Sequence, residues 1–262
     1  MSTVPSTGLG AARPGASAGL VERVSVDFST KAAATFSANG ATTIGGVPAH
    51  VENAAAARAA LALDGSTGLV FSPPNSDTGF DPHSNRRNVC LVRFVLNELD
   101  SSLDWHTPFR VEVEEQAFTT RSDYDQSYSG IEDSPANKTG FLTFKGRYAN
   151  SSAGDNIGIQ ACRLGVFVGG AISPPFAHVA RAYFFPEGIA GQTCHIYSGS
   201  SLATLAPYAS ILPPSSAAAP FAGGNTGALS DWALVVGAGR NSASPTGNIS
   251  HTLKKLRFFT QR

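Results

Sequence analysis

The chain of 262 residues is short of charge, of methionine and tryptophan, and of long apolar runs. Charged residues make up 15% of it, where soluble domains carry about a quarter. Lys and Arg total 19 and so do Asp and Glu, a formal net charge of +0. That balance excludes a nucleic-acid binder working by phosphate neutralisation, and equally an acidic solvating tail. No apolar run approaches the roughly 20 residues that cross a bilayer, so membrane insertion is not expected. The cysteines Cys90, Cys162 and Cys194 are odd in number and lack metal-ligand spacing. They sit in apolar, strand-like contexts and are expected to be buried free thiols. The histidines form no i, i+2 or i, i+4 pair, so no zinc site is supported. Neither Gly45-Gly46 nor Gly223-Gly224 is followed by Lys-Ser/Thr, which excludes a phosphate loop. No cofactor is expected. The opening MSTVPSTGLGAARPGASAGL has neither the basic start nor the apolar stretch of a secretory signal. Use without export is therefore expected, and the acceptor-like sites at Asn137, Asn150 and Asn248 then carry no meaning.

Glycine, proline and phenylalanine are present in quantity, at 27, 16 and 16 residues. Period-2 patterning dominates from Val21 onward. In VERVSVDF, Val24, Val26 and Phe28 share a face opposite Arg23, Ser25 and Asp27. In FRVEVEEQAF, Phe109, Val111 and Val113 oppose Arg110, Glu112 and Glu114, which reads as a half-buried strand with a solvated face. VCLVRFVL (89–96) and IGIQACRLGVFV (157–168) are more uniformly apolar, as central strands are. GFLTFKGRY, AHVARAYFF, TCHIYSG, DWALVVGAG and TLKKLRFFT extend the set. One helix is expected, capped by Asn53, carried by AAAARAALAL and ended at Asp64-Gly65. Turn clusters rich in Pro, Gly, Asn and Ser punctuate the rest, and residues 206–230 read as one long Pro/Gly/Ala-rich loop. The expected fold is all-β: a jelly-roll β-sandwich of two antiparallel sheets over residues 21–262, one short helix, and an extended arm over residues 1–20.

The C-terminal run DWALVVGAGRNSASPTGNISHTLKKLRFFTQR goes hydrophobic strand, glycine turn, polar loop, Gly-Asn-Ile, last strand. This resembles the close of concanavalin A-like jelly rolls, laminin-G-like modules included. The resemblance implies that the last strand returns beside the first.

The catalytic patterns known on such folds are incomplete in this chain. Glu98-Leu99-Asp100 begins the carboxylate pattern of retaining glycosidases on such folds, but Leu103 stands where its second glutamate belongs. Cys194 and His195 are neighbours on a strand, so they point to opposite faces and form no dyad. The polar stretch from Asp123 to Asp133 reads as a loop in which Asp123, Asp125, Glu132 and Asp133 are weak Ca²⁺ candidates. Trp105, Tyr124 and Tyr128 are candidate ligand-binding aromatics.

No catalytic constellation survives, and the small, neutral extensions suit packing on other subunits. The sequence is also similar in style to sandwich proteins of tailed-phage virions. The expectation is a non-enzymatic structural protein of a virion (capsid decoration, fibre or tail), assembled in the host cytoplasm. Its partners would be copies of itself and other structural subunits, gripped through Val4, Pro5, Leu9, Arg13, Leu20, Tyr208, Ile211, Leu212 and Phe221. The alternative is a lectin-like carbohydrate-binding module or a glycoside hydrolase on the same fold, with surface glycans as partners.

Overall fold

The computed structural model describes residues 19–52, 60–72, 89–116, 125–133, 140–147, 155–163, 166–172, 178–191, 193–211, 228–240 and 251–261. The strands begin with β1 (Leu20–Asp27), β2 (Ala34–Thr35), β3 (Gly40–Ile44), β4 (Val47–Glu52), β5 (Ala60–Leu63), β6 (Leu69–Ser72) and β7 (Val89–Val95). A one-turn helix, α1 (Leu96–Leu99), precedes β8 (Phe109–Glu115), β9 (Asp125–Glu132), β10 (Gly140–Arg147), β11 (Asp155–Arg163) and β12 (Val166–Ile172). The chain closes with β13 (Ala180–Phe185), β14 (Cys194–Gly199), β15 (Ala206–Ile211), β16 (Ala233–Arg240) and β17 (His251–Gln261).

These strands make two antiparallel sheets, and the protein is a jelly-roll β-sandwich. The first sheet runs β15-β14-β13-β8-β17-β6-β5-β2, with β1 also on β17. The second runs β12-β11-β10-β9-β16-β7-β4-β3. Among the described strands the chain changes sheet between β2 and β3, β4 and β5, β6 and β7, β7 and β8, β8 and β9, β12 and β13, β15 and β16, and β16 and β17, while β3–β4, β5–β6, the run β9 to β12 and the run β13 to β15 pair as sequence neighbours. The last strand pairs antiparallel with the first, from Leu20 opposite Gln261 to Asp27 opposite Lys255, as the C-terminal pattern implied.

Alternation decides the core. Phe109, Val111 and Val113 are buried between the sheets with Val26, Phe28, Leu256 and Phe258. The Phe109 ring stacks on Phe185 at 4.6 Å, and Phe28 of the first layer meets Phe94 of β7 at 6.1 Å. Each such ring removes enough apolar surface from water to contribute about 1.5–3 kcal/mol. One polar cluster also lies between the layers. Tyr183 donates its hydroxyl to the Ser129 carbonyl at 3.0 Å. Arg181 reaches Ser129 Oγ at 3.3 Å and pairs with Glu115, which His251 approaches at 3.3 Å.

Three expectations are corrected. Ala60–Leu63, expected to be the end of a helix, is strand β5, paired residue for residue with Leu69–Ser72. Alanine's helix propensity is overridden because Leu61 and Leu63 alternate into the core; residues 53–59 lie outside the described residues. The 157–168 run is two strands rather than one, β11 and β12, folded back on each other. Ala206–Ile211, read as part of a long loop, is strand β15 on the edge of the first sheet.

Candidate functional site

The face of the second sheet that points away from the first carries the most concentrated chemistry. Within β9, Ile131 is in the core and Ser129 bonds Tyr183 of the opposite layer. Alternation therefore places positions 126, 128, 130 and 132 on the outer face. Arg93 of β7 shares that face, because Val235 of β16 is the register partner of both Arg93 and Gly130.

Arg93 is the anchor of this face. Its Nη1 donates to Glu132 Oε1 at 2.7 Å, and Nε lies 3.4 Å from Glu52 Oε1. Its Nη2 donates to the carbonyl of Asp231 at 2.6 Å and to that of Asp133. The guanidinium is thus met by two carboxylates and two carbonyls, which offsets the cost of burying it. Arg93 is 3% exposed and Glu132 0%. Next to Arg93 in register, His50 of β4 meets Glu98 of α1 at 2.9 Å. Glu132 is sealed from water, and its Oε1 is held by the guanidinium. Glu132 is a fastener of the sheet, and Leu91, Val235 and Gly130 on the same face are buried with it.

Beside this anchor the register aligns an unusual set of residues. Tyr128 and Phe144 are direct cross-strand partners. Gly237 stands on the other side of Tyr128, and Gly158 on the other side of Phe144. The adjacent row reads Gly239, Gln126, Gly146, Asn156 across β16, β9, β10 and β11. The row on the other side reads Val235, Gly130, Leu142, Gln160. Two aromatic and three amide residues therefore share one sheet face with five glycines. Glycine is disfavoured inside strands and marks places where something approaches the backbone closely.

The outer face of the first sheet is different. Arg110 and Glu112, expected on a solvated face, are only 8% and 7% exposed. They pair at 2.8 Å, Arg257 lies 3.9 Å from Glu112, and Arg110 stacks 4.7 Å over the Tyr197 ring. Leu202 donates its N–H to Glu114, whose other oxygen meets Lys255 at 3.3 Å. Burial raises the Glu112 pKa above the usual carboxylate range, against the pull of Arg110 and Arg257. This face is closed by its own ion pairs.

The sequence candidates fall in several places. Trp105 lies in the turn before β8, packed on the core and accepting a hydrogen bond at its carbonyl from Ala190 at 2.9 Å. Tyr208 packs against the core from β15. Leu20 opens β1 and Ile211 closes β15. Val4, Pro5, Leu9, Arg13, Leu212, Phe221, Asp123 and Tyr124 lie outside the described residues. The 123–133 stretch is corrected from a loop, since Asp125–Glu132 is strand β9. A strand spreads Asp125 and Glu132 about 20 Å apart, and Glu132 is taken by Arg93, so these residues do not converge on a cation. Among the described residues no group of three or more His, Cys, Asp or Glu stands ready for a metal, and no helix is long and apolar enough to cross a membrane. Glu98 and Asp100 are not on a strand. Asp100 accepts from Thr260 at 2.5 Å and pairs with Arg23 at 2.9 Å. Cys194 faces the core and His195 the opposite side, near Phe184. The sequence reading missed Phe144, Arg93 and Glu52. The glycines of GFLTFKG (140–146) on either side of Phe144 were the available signal for that residue; Arg93 and Glu52 had none.

No family model and no curated protein matches the chain. Among solved structures it is similar to the carbohydrate recognition domain of Emp47p, at 10% identity and a TM-score of 0.45, over 94% of this chain and 99% of that one. It is also similar to winged bean acidic lectin complexed with methyl-alpha-D-galactose, at 10% identity and 0.41, over 88% and 99%. A third likeness is to the GH43 protein BlXynB of Bacillus licheniformis, at 14% and 0.44; this chain matches over 76% of its own length and spans about a third of that protein, 34%. At these identities and scores the likeness adds nothing to the β-sandwich that the strand pairing itself shows.

Proposed function

We propose that the protein is a non-hydrolytic carbohydrate-binding module whose glycan face is the outer face of the second sheet. The observation that carries this reading is the register row Gly237–Tyr128–Phe144–Gly158, flanked by Gln126, Asn156 and Gln160. Sugar rings have an apolar face that stacks on aromatic residues and hydroxyls that pair with amides. Gly158 beside Phe144 and Gly146 in the adjacent row have no side chain to stand between a flat ring and the sheet. The Arg93–Glu132 pair supports binding over hydrolysis, because it commits the buried carboxylate of this face to an ion pair between strands. Titration of the full chain with a panel of soluble polysaccharides tests the reading by calorimetry. Saturable binding that falls at least about tenfold in Tyr128→Ala or Phe144→Ala is expected, since each lost stacking contact removes about 1–3 kcal/mol. Flat titrations across the panel, or binding indifferent to both substitutions, overturn it.

A second reading keeps the chain as a structural subunit, the virion component that its resemblance in style to phage sandwich proteins implies, bound to copies of itself. The exposed and uncharged strand β3 favours it. A subunit with no glycan face leaves the same titrations flat.

A further inference from the structure

We infer that two copies of this chain join edge to edge through β3, making one continuous antiparallel sheet across a two-fold axis at Thr42. This does not depend on the glycan reading, because β3 is the far edge of the second sheet from β10 and β11.

The first observation is a contrast among edges. An open strand edge invites pairing, and proteins blunt theirs with charge, proline, bulges or short length. Strand β2 is two residues long. Strand β15 carries Pro207 and a register shift. Strand β12 has two register shifts against β11. Strand β1 carries Glu22, Arg23 and Asp27 and a shift between Glu22 and Val24. Strand β3, Gly-Ala-Thr-Thr-Ile, pairs without interruption over all five residues and has no charge and no proline. Gly40, Ala41 and Thr43 are exposed, so nothing among the described residues covers this edge.

The second observation is which backbone groups the edge presents. Strands β3 and β4 are joined by Gly45-Gly46, both at positive φ (62° and 91°), as a tight two-residue hairpin requires. In such a hairpin the flanking pair, Ile44 and Val47, is hydrogen-bonded, and bonded pairs then alternate through Thr42–Ala49 and Gly40–Val51. The N–H and C=O groups of Ala41 and Thr43 therefore turn to the open side. Pro48 agrees with this phase: it lies opposite Thr43, in a pair that needs no N–H from it. A second copy laid antiparallel, Thr42 opposite Thr42, sets Ala41 against Thr43 twice and closes four backbone hydrogen bonds. The cross-strand neighbours are Thr on Thr, Ala on Thr and Gly on Ile, with no like charges opposed. The arrangement is self-complementary and closed, as two-fold contacts are.

Thr42→Cys in the full chain tests the register directly. Antiparallel non-bonded partners have Cα atoms about 4.5 Å apart, within disulfide range. Mild oxidation is expected to give a covalent dimer with Thr42→Cys, and no more dimer with Thr43→Cys than with the unsubstituted chain. Sedimentation equilibrium is expected to show a concentration-dependent dimer that Thr43→Pro abolishes by removing an outward N–H. Should that variant fail to fold, Thr42→Asp, which sets two carboxylates across the axis, is expected to dissociate the dimer at neutral pH. A chain that stays monomeric at all concentrations overturns the inference, as does a Thr43→Cys yield equal to that of Thr42→Cys.

Discussion

Arg93 and Glu132 belong to strands that are not neighbours. Strand β16 runs between β7 and β9, and the guanidinium reaches across it to Glu132 Oε1 at 2.7 Å. One side chain therefore staples three strands of the second sheet, and through Glu52 of β4 a fourth. Alongside, the same face carries the row centred on Tyr128 and Phe144. The staple fixes the pitch of the strands that carry the aromatic positions.

Removing one partner of this pair leaves the other charged and buried. Glu132→Gln is expected to lower unfolding free energy by about 1.5–3 kcal/mol, the scale of a hydrogen bond to a charged group, because Glu52 and two carbonyls still meet the guanidinium. Urea denaturation followed by tryptophan fluorescence checks it, since Trp232 is buried next to Asp231. A loss below about 1 kcal/mol would mean that the pair is solvated.

Asp64 ends β5 and closes the turn to β6. Its Oδ1 accepts from the N–H groups of Ser66 at 2.9 Å, Thr67 at 2.7 Å and Gly68 at 3.1 Å, and Oδ2 from the Thr67 hydroxyl. Burial alone raises its pKa, but the Thr67, Ser66 and Gly68 hydrogen bonds outweigh that and hold the carboxyl well below the usual carboxylate range. A group with a depressed folded pKa stabilises above its unfolded pKa and loses that contribution as pH falls through the folded value. The advantage of the native chain over Asp64→Ala is expected to be about 1 kcal/mol near neutral pH, the scale of a lost cap. It should shrink steadily once pH drops below about 4. Melting curves of both proteins across that range measure it, and a pH-independent gap would contradict the assignment.

The fold was legible wherever one face of a strand is buried. Phe109, Val111 and Val113, like Val26 and Phe28, announced their side by period 2 alone. The return of the last strand to the first was readable from the C-terminal pattern. What stayed hidden depends on pairing between distant segments. Ala60–Leu63 looks helical until Leu69 and Phe71 are laid beside it. Arg110 and Glu112 look solvated until Arg257 and Tyr197 arrive from β17 and β14. Tyr128 stood out as an aromatic residue, but its partner Phe144 is identifiable only from the β9–β10 register. Arg93 and Glu132, 39 positions apart with a strand between them, left no local trace.

The buried thiols make a chemical prediction. Burial pushes the Cys90 pKa up to about 12, and burial likewise raises that of Cys194. At pH 8 both thiols stay protonated, and neither group has solvent access. Native protein treated with an alkylating reagent at that pH is expected to keep both cysteines unmodified, while urea-unfolded protein is labelled at both. Peptide mass spectrometry distinguishes them. Rapid native labelling of Cys194 would place it outside the core.

The glycines beside the aromatic pair provide the sharpest separation of binding from folding. Gly158 is the register partner of Phe144 on an eight-pair ladder between β10 and β11. In a strand, valine is preferred to glycine, so Gly158→Val is expected to leave the melting temperature unchanged or to raise it. A β-branched side chain there would occupy the space that a ring needs to lie against Phe144. Glycan affinity is therefore expected to fall about tenfold or more, a change of about 1.4 kcal/mol, with stability intact. Calorimetric titration and thermal melts on the same sample decide the matter. Unchanged affinity with unchanged stability would show that position 158 borders no ligand, and the glycan face would have to be sought elsewhere on the sandwich.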